Sequence, residues 1–115
     1  MGNYKKGKFK LYGRVAVVTG AARGIGKRIS LAYASEEVNI ALVDINQDNL
    51  NNVLNEIDNN FNDVKVIGLK YDIGNISEVN ETISKVLEEF RKIDFLVNNA
   101  GITFRSKIEN LNISY

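Results

Sequence analysis

The stretch Val15-Ala16-Val17-Val18-Thr19-Gly20-Ala21-Ala22-Arg23-Gly24-Ile25-Gly26 decides the fold of this chain. Its first part is short and continuously apolar, as a parallel strand covered on both faces should be. Its second part is a glycine-rich turn that runs directly into a helical pattern. Strand, glycine turn and helix start are the parts of a dinucleotide-binding βαβ unit. Glycines let the backbone turn tightly and come close to a pyrophosphate. The helix N-terminus adds free N–H groups and a partial positive charge. The spacing is Gly-x-x-x-Gly-x-Gly, a variant of the commoner Gly-x-Gly-x-x-Gly.

Working outward, strand and helix signals alternate. Strand one is read as Arg14–Thr19 and helix one as about Gly24 to Glu36, with Ile25, Ile29, Ala32 and Tyr33 on its inner face. Strand two is Asn39–Asp44. The next helix has Leu50, Val53, Leu54, Ile57 and Phe61 at 3.6-residue spacing. Strand three is Val64–Leu69. Helix three starts near Asn75, where Asn75 and Glu78 fit a capping box. Its expected inner face is Ile76, Val79, Ile83, Val86, Leu87 and Phe90. Strand four is Ile93–Val97. Right-handed crossovers then require an α/β, doubly wound parallel sheet with helices on both faces; the expected strand order is 3-2-1-4, with the cofactor crevice at the switch between strands one and four.

Three further features fall where that crevice needs them. Asp44 ends strand two, 24 residues after Gly20, where a carboxylate accepts from ribose hydroxyls and repels a 2′-phosphate. Asp72-Ile73 ends strand three, where a carboxylate can accept from an adenine amino group. Asn98-Asn99-Ala100-Gly101 follows strand four, and its small residues let a ligand lie near the backbone. The glycine turn and these three features each have a plain reading as well: a tight turn, a solvated strand-end or N-cap aspartate, a turn aspartate before Gly74, and a plain turn in an Asn-rich chain. The acid at Asp44 favours NAD, while the cation Arg23 in the turn keeps NADP possible.

Composition narrows the chemistry. The 115 residues, 44% hydrophobic and 25% charged, suit one soluble domain. There is no cysteine and no histidine, so the sequence holds neither a zinc site of the usual ligands nor a Ser-His-Asp triad, and no metal is expected. Net charge is +1, yet Lys5, Lys6, Lys8, Lys10 and Arg14 open the chain without any acid. Residues 1–13 are read as a solvated basic extension and 14–115 as the nucleotide-binding unit. No aromatic and basic face follows residue 14, so no nucleic-acid partner is expected. No apolar run fits a secretory signal or a membrane span, so the expected address is cytoplasmic and no membrane partner is expected.

Taken in order, Thr19-Gly20-x-x-x-Gly24-x-Gly26, Asp44, Asp72-Ile73 and Asn98-Asn99-Ala100-Gly101 resemble the short-chain dehydrogenase/reductase family. Leu11-x-Gly13 and Asp94 before Leu96-Val97 are similar to it as well. The resemblance covers about residues 9–115 and implies a Rossmann-like fold. It also implies an NAD(P)-dependent oxidoreductase that interconverts a small-molecule alcohol and carbonyl, with a homo-oligomeric parent. It places Gly20, Ala22, Arg23, Gly24, Ile25 and Gly26 at the pyrophosphate, and Asp44 with Ile45 at the ribose. Asp72 and Ile73 fall at the adenine, and Asn99, Ala100 and Gly101 beside the adenosine. The family's serine and Tyr-x-x-x-Lys pair have no counterpart at matching places, because Tyr4 to Lys8 precedes strand one. Glu37 stands at the helix-one exit, where the family often has glycine. The chain is therefore read as the cofactor-binding N-terminal half of a reductase, inactive alone. The other reading is a non-catalytic dinucleotide-binding module that pairs with another chain.

Overall fold

A computed structural model describes residues 11–99. The elements are β1 (Val15–Thr19), α1 (Gly24–Ser35), β2 (Asn39–Asp44), α2 (Gln47–Asn60), β3 (Val66–Lys70), α3 (Ile76–Phe90) and β4 (Phe95–Val97). The strands form one parallel sheet in the expected order β3-β2-β1-β4. All five β1 residues are buried.

Side chains along the central strands alternate between two cores. Val18, Ile40 and Leu42 face the α1 and α2 side, where they join Ala34, Leu50, Val53 and Ile57. Val15, Val17, Ala41 and Val43 face the other side and meet Val86 of α3. Burying one side chain such as Leu50, fully enclosed here, contributes about 1.5–3 kcal/mol. Tyr33 stacks on Phe95 with ring centroids 5.5 Å apart, joining the end of α1 to β4.

Two helices bury only part of the expected face: Ile29 and Tyr33 of α1 and Val86 and Phe90 of α3 pack inward, and small or hydroxylated residues complete the buried line. In α1 the buried row is Gly26, Ser30 and Ala34, while Ile25 is 68% exposed and Ala32 faces solvent. Small residues at four-residue spacing let this helix sit close to the sheet. The Ser30 hydroxyl donates to the Gly26 carbonyl at 2.8 Å, so its burial leaves no orphaned donor. In α3 the buried residues are Thr82 and Val86, with Val79 and Phe90 half-buried. Ile76, Ile83 and Leu87 face outward, Ile76 at 80% exposure. The apolar pattern marks two adjoining rows of that helix, and the buried line runs through Thr82, a residue that polarity sorting discards. Its hydroxyl donates to the Glu78 carbonyl at 2.8 Å.

Several ends are shorter or shifted. β3 begins at Val66 rather than Val64, and β4 at Phe95 rather than Ile93. β1 begins at Val15 rather than Arg14. The flanking residues still bond across: Asn39 N–H donates to the Arg14 carbonyl, Ile40 N–H to Lys65 and Asp94 N–H to Val15. The capping box at α3 is half formed. The Asn75 side chain accepts from Ser77 and Glu78 N–H, but Glu78 reaches elsewhere.

The exit of α1 is a Schellman motif. Val38 N–H donates to the Tyr33 carbonyl and Glu37 N–H to Ala34, both at 3.0 Å. Glu37 therefore sits in the left-handed region, at φ 61°. The expectation that glycine would ease this exit matches that geometry.

Candidate functional site

The carboxyl end of the sheet is where the turn after β1 and the ends of β2, β3 and β4 converge. The turn is held from two sides. Ala21 N–H donates to the Val43 carbonyl at 3.2 Å, and Ala22 N–H donates to Asp44 Oδ2 at 3.0 Å. Asp44 Oδ1 accepts from Asn46 N–H at 3.0 Å. The acid at the end of β2 is thus locked to the glycine turn. Each of its oxygens has a second lone pair for an incoming hydroxyl.

On the other side, Thr19 is the hinge between β1 and β4. Its hydroxyl lies 3.3 Å from the Val97 carbonyl and 3.2 Å from Asn98 Oδ1, and it accepts from Asn99 N–H at 2.9 Å. Asn99 Nδ2 donates back to the Gly20 carbonyl at 3.3 Å. Below this, Asp94 Oδ2 accepts from Val15 N–H at 2.8 Å and pairs with Lys92 at 3.1 Å. That backbone bond, then the Lys92 ammonium, holds the Asp94 carboxyl below the ordinary aspartate value, with partial desolvation opposing them.

The glycines do separate jobs. Gly24 takes φ 59° with open space around it, so its backbone can turn and leave its face clear. Gly26 is a matter of close approach. A Cβ there would meet the Gly20 carbonyl oxygen and lie 2.8 Å from Asn99 Nδ2.

The N-terminus of α1 differs from those of its neighbours. Asn46 and Asn75 cap α2 and α3 through their side chains, whereas Arg23, the N-cap of α1, makes no side-chain cap bond. First-turn N–H groups of a helix need a partner, and anions supply one well.

A cleft of about 460 Å³ opens over this end of the sheet. It brings together Gly20, Arg23, Gly24, Asp44, Ile45, Asp72, Ile73 and Asn99 from the expected set. Ala22 is buried, with its N–H spent on Asp44, and Gly26 lies buried under the turn. Ile25 is exposed and does not line the cleft. Ala100 and Gly101 lie outside the described residues. Val43, Tyr71 and Gly74 also line the cleft and were missed. Val43 and Tyr71 each precede an acid at a strand end, a signal that was available. Thr19 was quoted only as part of the motif, though it joins two strands and the Asn99 loop. Among the described residues no helix is long and apolar enough to cross a membrane.

Comparison with known proteins agrees with this geometry. The family model for short chain dehydrogenases matches residues 14–114. The 3-oxoacyl-acyl-carrier-protein reductase FabG of Thermotoga maritima is 36% identical over 94 residues, 82% of this chain and 37% of that protein. The NAD(+) 15-hydroxyprostaglandin dehydrogenase of Rattus norvegicus is 37% identical over 90 residues, 78% of this chain and 34% of that one. A short-chain dehydrogenase/reductase of Burkholderia phymatum, solved in complex with NAD, superposes with a TM-score of 0.71 at 30% identity, covering 76% of this chain and 31% of that one. The chain thus spans little more than a third of the relatives it matches. With the sheet order, the locked glycine turn and the acid at Asp44 in place, the chain belongs to the short-chain dehydrogenase/reductase family.

Proposed function

We propose that this chain forms the NAD-binding part of an oxidoreductase that interconverts an alcohol and a carbonyl in a small molecule. One observation carries the reading: Asp44 shares a cleft with the uncapped N-terminus of α1. A ribose hydroxyl can bond to Asp44 while the pyrophosphate lies over Gly24 and the first turn of α1. Asp44 puts a negative charge where NADP carries its 2′-phosphate, which favours NAD. Arg23 lines the same cleft and offers a cation to the pyrophosphate. Asp72 and Ile73 receive the adenine, and Asn99 flanks the adenosine side. The chemistry supplied when NAD is bound is hydride transfer to or from the substrate carbon. The residues of this chain bind and orient the cofactor. Proton transfer falls to the serine, tyrosine and lysine typical of the family, contributed from outside residues 11–99.

Calorimetric titration with NAD and NADP tests this. NAD should saturate one site and NADP should bind at least tenfold more weakly. Asp44→Ala should narrow that gap by removing both the ribose acceptor and the repulsion. Tighter binding of NADP than NAD, or no binding of either, overturns the reading.

A further inference from the structure

The structure assigns Glu78, in the first turn of α3, the role of a positioning residue that sets Asp72 for reading the adenine base. The inference rests on the cofactor site proposed above and deepens it. Three bonds fix Asp72. Its N–H donates to Glu78 Oε1 at 2.8 Å. Its carbonyl accepts from Asn75 N–H at 3.1 Å. Its own Oδ1 accepts from Gly74 N–H at 2.9 Å. Asp72 and Gly74 both line the cleft.

The second of these bonds explains what Glu78 is free to do. In a complete capping box the glutamate at this place accepts from the cap residue's N–H. Here that N–H, on Asn75, is already taken by the Asp72 carbonyl. The Asn75 side chain still serves the helix, accepting from Ser77 and Glu78 N–H at 3.0 and 3.3 Å. The helix start is therefore satisfied without the Glu78 carboxylate. That carboxylate reaches past the cap to the strand end and grips the residue at the cleft wall. It acts through Asp72 and does not itself line the cleft.

The consequence is specific to the base. A carboxylate held at the cleft wall accepts from the 6-amino group of adenine. It repels the carbonyl oxygen that replaces that amino group in hypoxanthine. Glu78 should therefore govern discrimination between NAD and nicotinamide hypoxanthine dinucleotide, more than affinity as such. A change that only weakened the fold would lower both affinities together.

The test is calorimetric titration of the parent chain, Glu78→Ala, Glu78→Gln and Asp72→Ala with both dinucleotides, with thermal melts alongside. The parent should prefer NAD about tenfold, the worth of one hydrogen bond to a charged group. Asp72→Ala should abolish the preference. Glu78→Ala should reduce it to threefold or less with little change toward the hypoxanthine compound. Glu78→Gln keeps an acceptor oxygen and should restore it. If the parent shows no preference, the assignment of Asp72 to adenine fails, and this inference with it. If the parent and Glu78→Ala prefer NAD equally, only the role of Glu78 is overturned.

Discussion

Gly26→Ala is the substitution on which the packing argument rests. The added methyl would fall on the Gly20 carbonyl oxygen, 2.8 Å from the carbonyl carbon and 2.8 Å from Asn99 Nδ2. Non-bonded heavy atoms ordinarily stay about 3.5 Å apart, and the carbonyl oxygen lies nearer to the new methyl than its carbon does, so the turn must retreat by more than about 1 Å. That turn is tied to β2 through Ala21 and Ala22 and to the Asn99 loop, so it cannot retreat cheaply. Overpacking of this kind costs about 1–3 kcal/mol. Displacing the Asn99 bond adds about 1 kcal/mol. A loss of about 3 kcal/mol lowers the melting temperature of a domain this size by roughly 10–20 °C. Gly24→Ala is the control. Its surroundings are open, and only its left-handed φ of 59° is penalised, at about 1–2 kcal/mol. Melting followed by circular dichroism should rank the parent above Gly24→Ala and Gly24→Ala above Gly26→Ala. A Gly26→Ala variant melting within about 2 °C of the parent would refute the close-approach account of the turn.

Glu37→Gly should stabilise the chain by about 1 kcal/mol, because it relieves the left-handed backbone at the Schellman exit of α1. Denaturant titration reads this, and an unchanged midpoint would count against it. Asp94→Asn should flatten the acid side of the stability profile. The Asp94 carboxyl titrates below its ordinary value in the fold. Its contribution is therefore complete above about pH 4 and is lost as pH falls through the depressed value. Urea midpoints compared from pH 2 to 7 should separate between parent and variant as pH rises through the depressed value and stay fully separated above about pH 4, and parallel curves would exclude the effect.

Much of the site was legible because it depends on order along the chain. In an all-parallel sheet every strand ends at the same edge, so an acid at a strand's C-terminal end lies at the carboxyl edge. Asp44, Asp72 and Asn99 could therefore be placed at one edge before any coordinates. The faces of α1 and α3 were legible only in part: Ile29, Tyr33, Val86 and Phe90 do pack inward as expected. Apolar spacing marked Ile25 and Ile76, whereas the fold buries Gly26, Ser30, Ala34 and Thr82. Those are small or hydroxylated residues that a hydrophobicity pattern passes over. Their burial works because Ser30 and Thr82 bond back to their own helices and because glycine lets α1 close on the turn.

The sequence by itself determined the alternation of strands and helices, the sheet order, the glycine turn and the edge where the acids gather. The alternation and the parallel sheet follow from local periodicity and from the handedness of the connections, and the order is the one expected of a doubly wound sheet that opens on this glycine turn. Only the tertiary structure decided how those parts are joined. Asp44 binds the Ala22 amide, Thr19 clasps β4 through Asn99, Asp94 holds Val15, and Glu78 passes over its own cap to hold Asp72. The pairs in the first three links lie between 22 and 80 positions apart, so no local pattern contains them. The fourth spans only six positions. It exists because the Asn75 N–H had already found another carbonyl, a choice among partners that geometry makes and spacing does not.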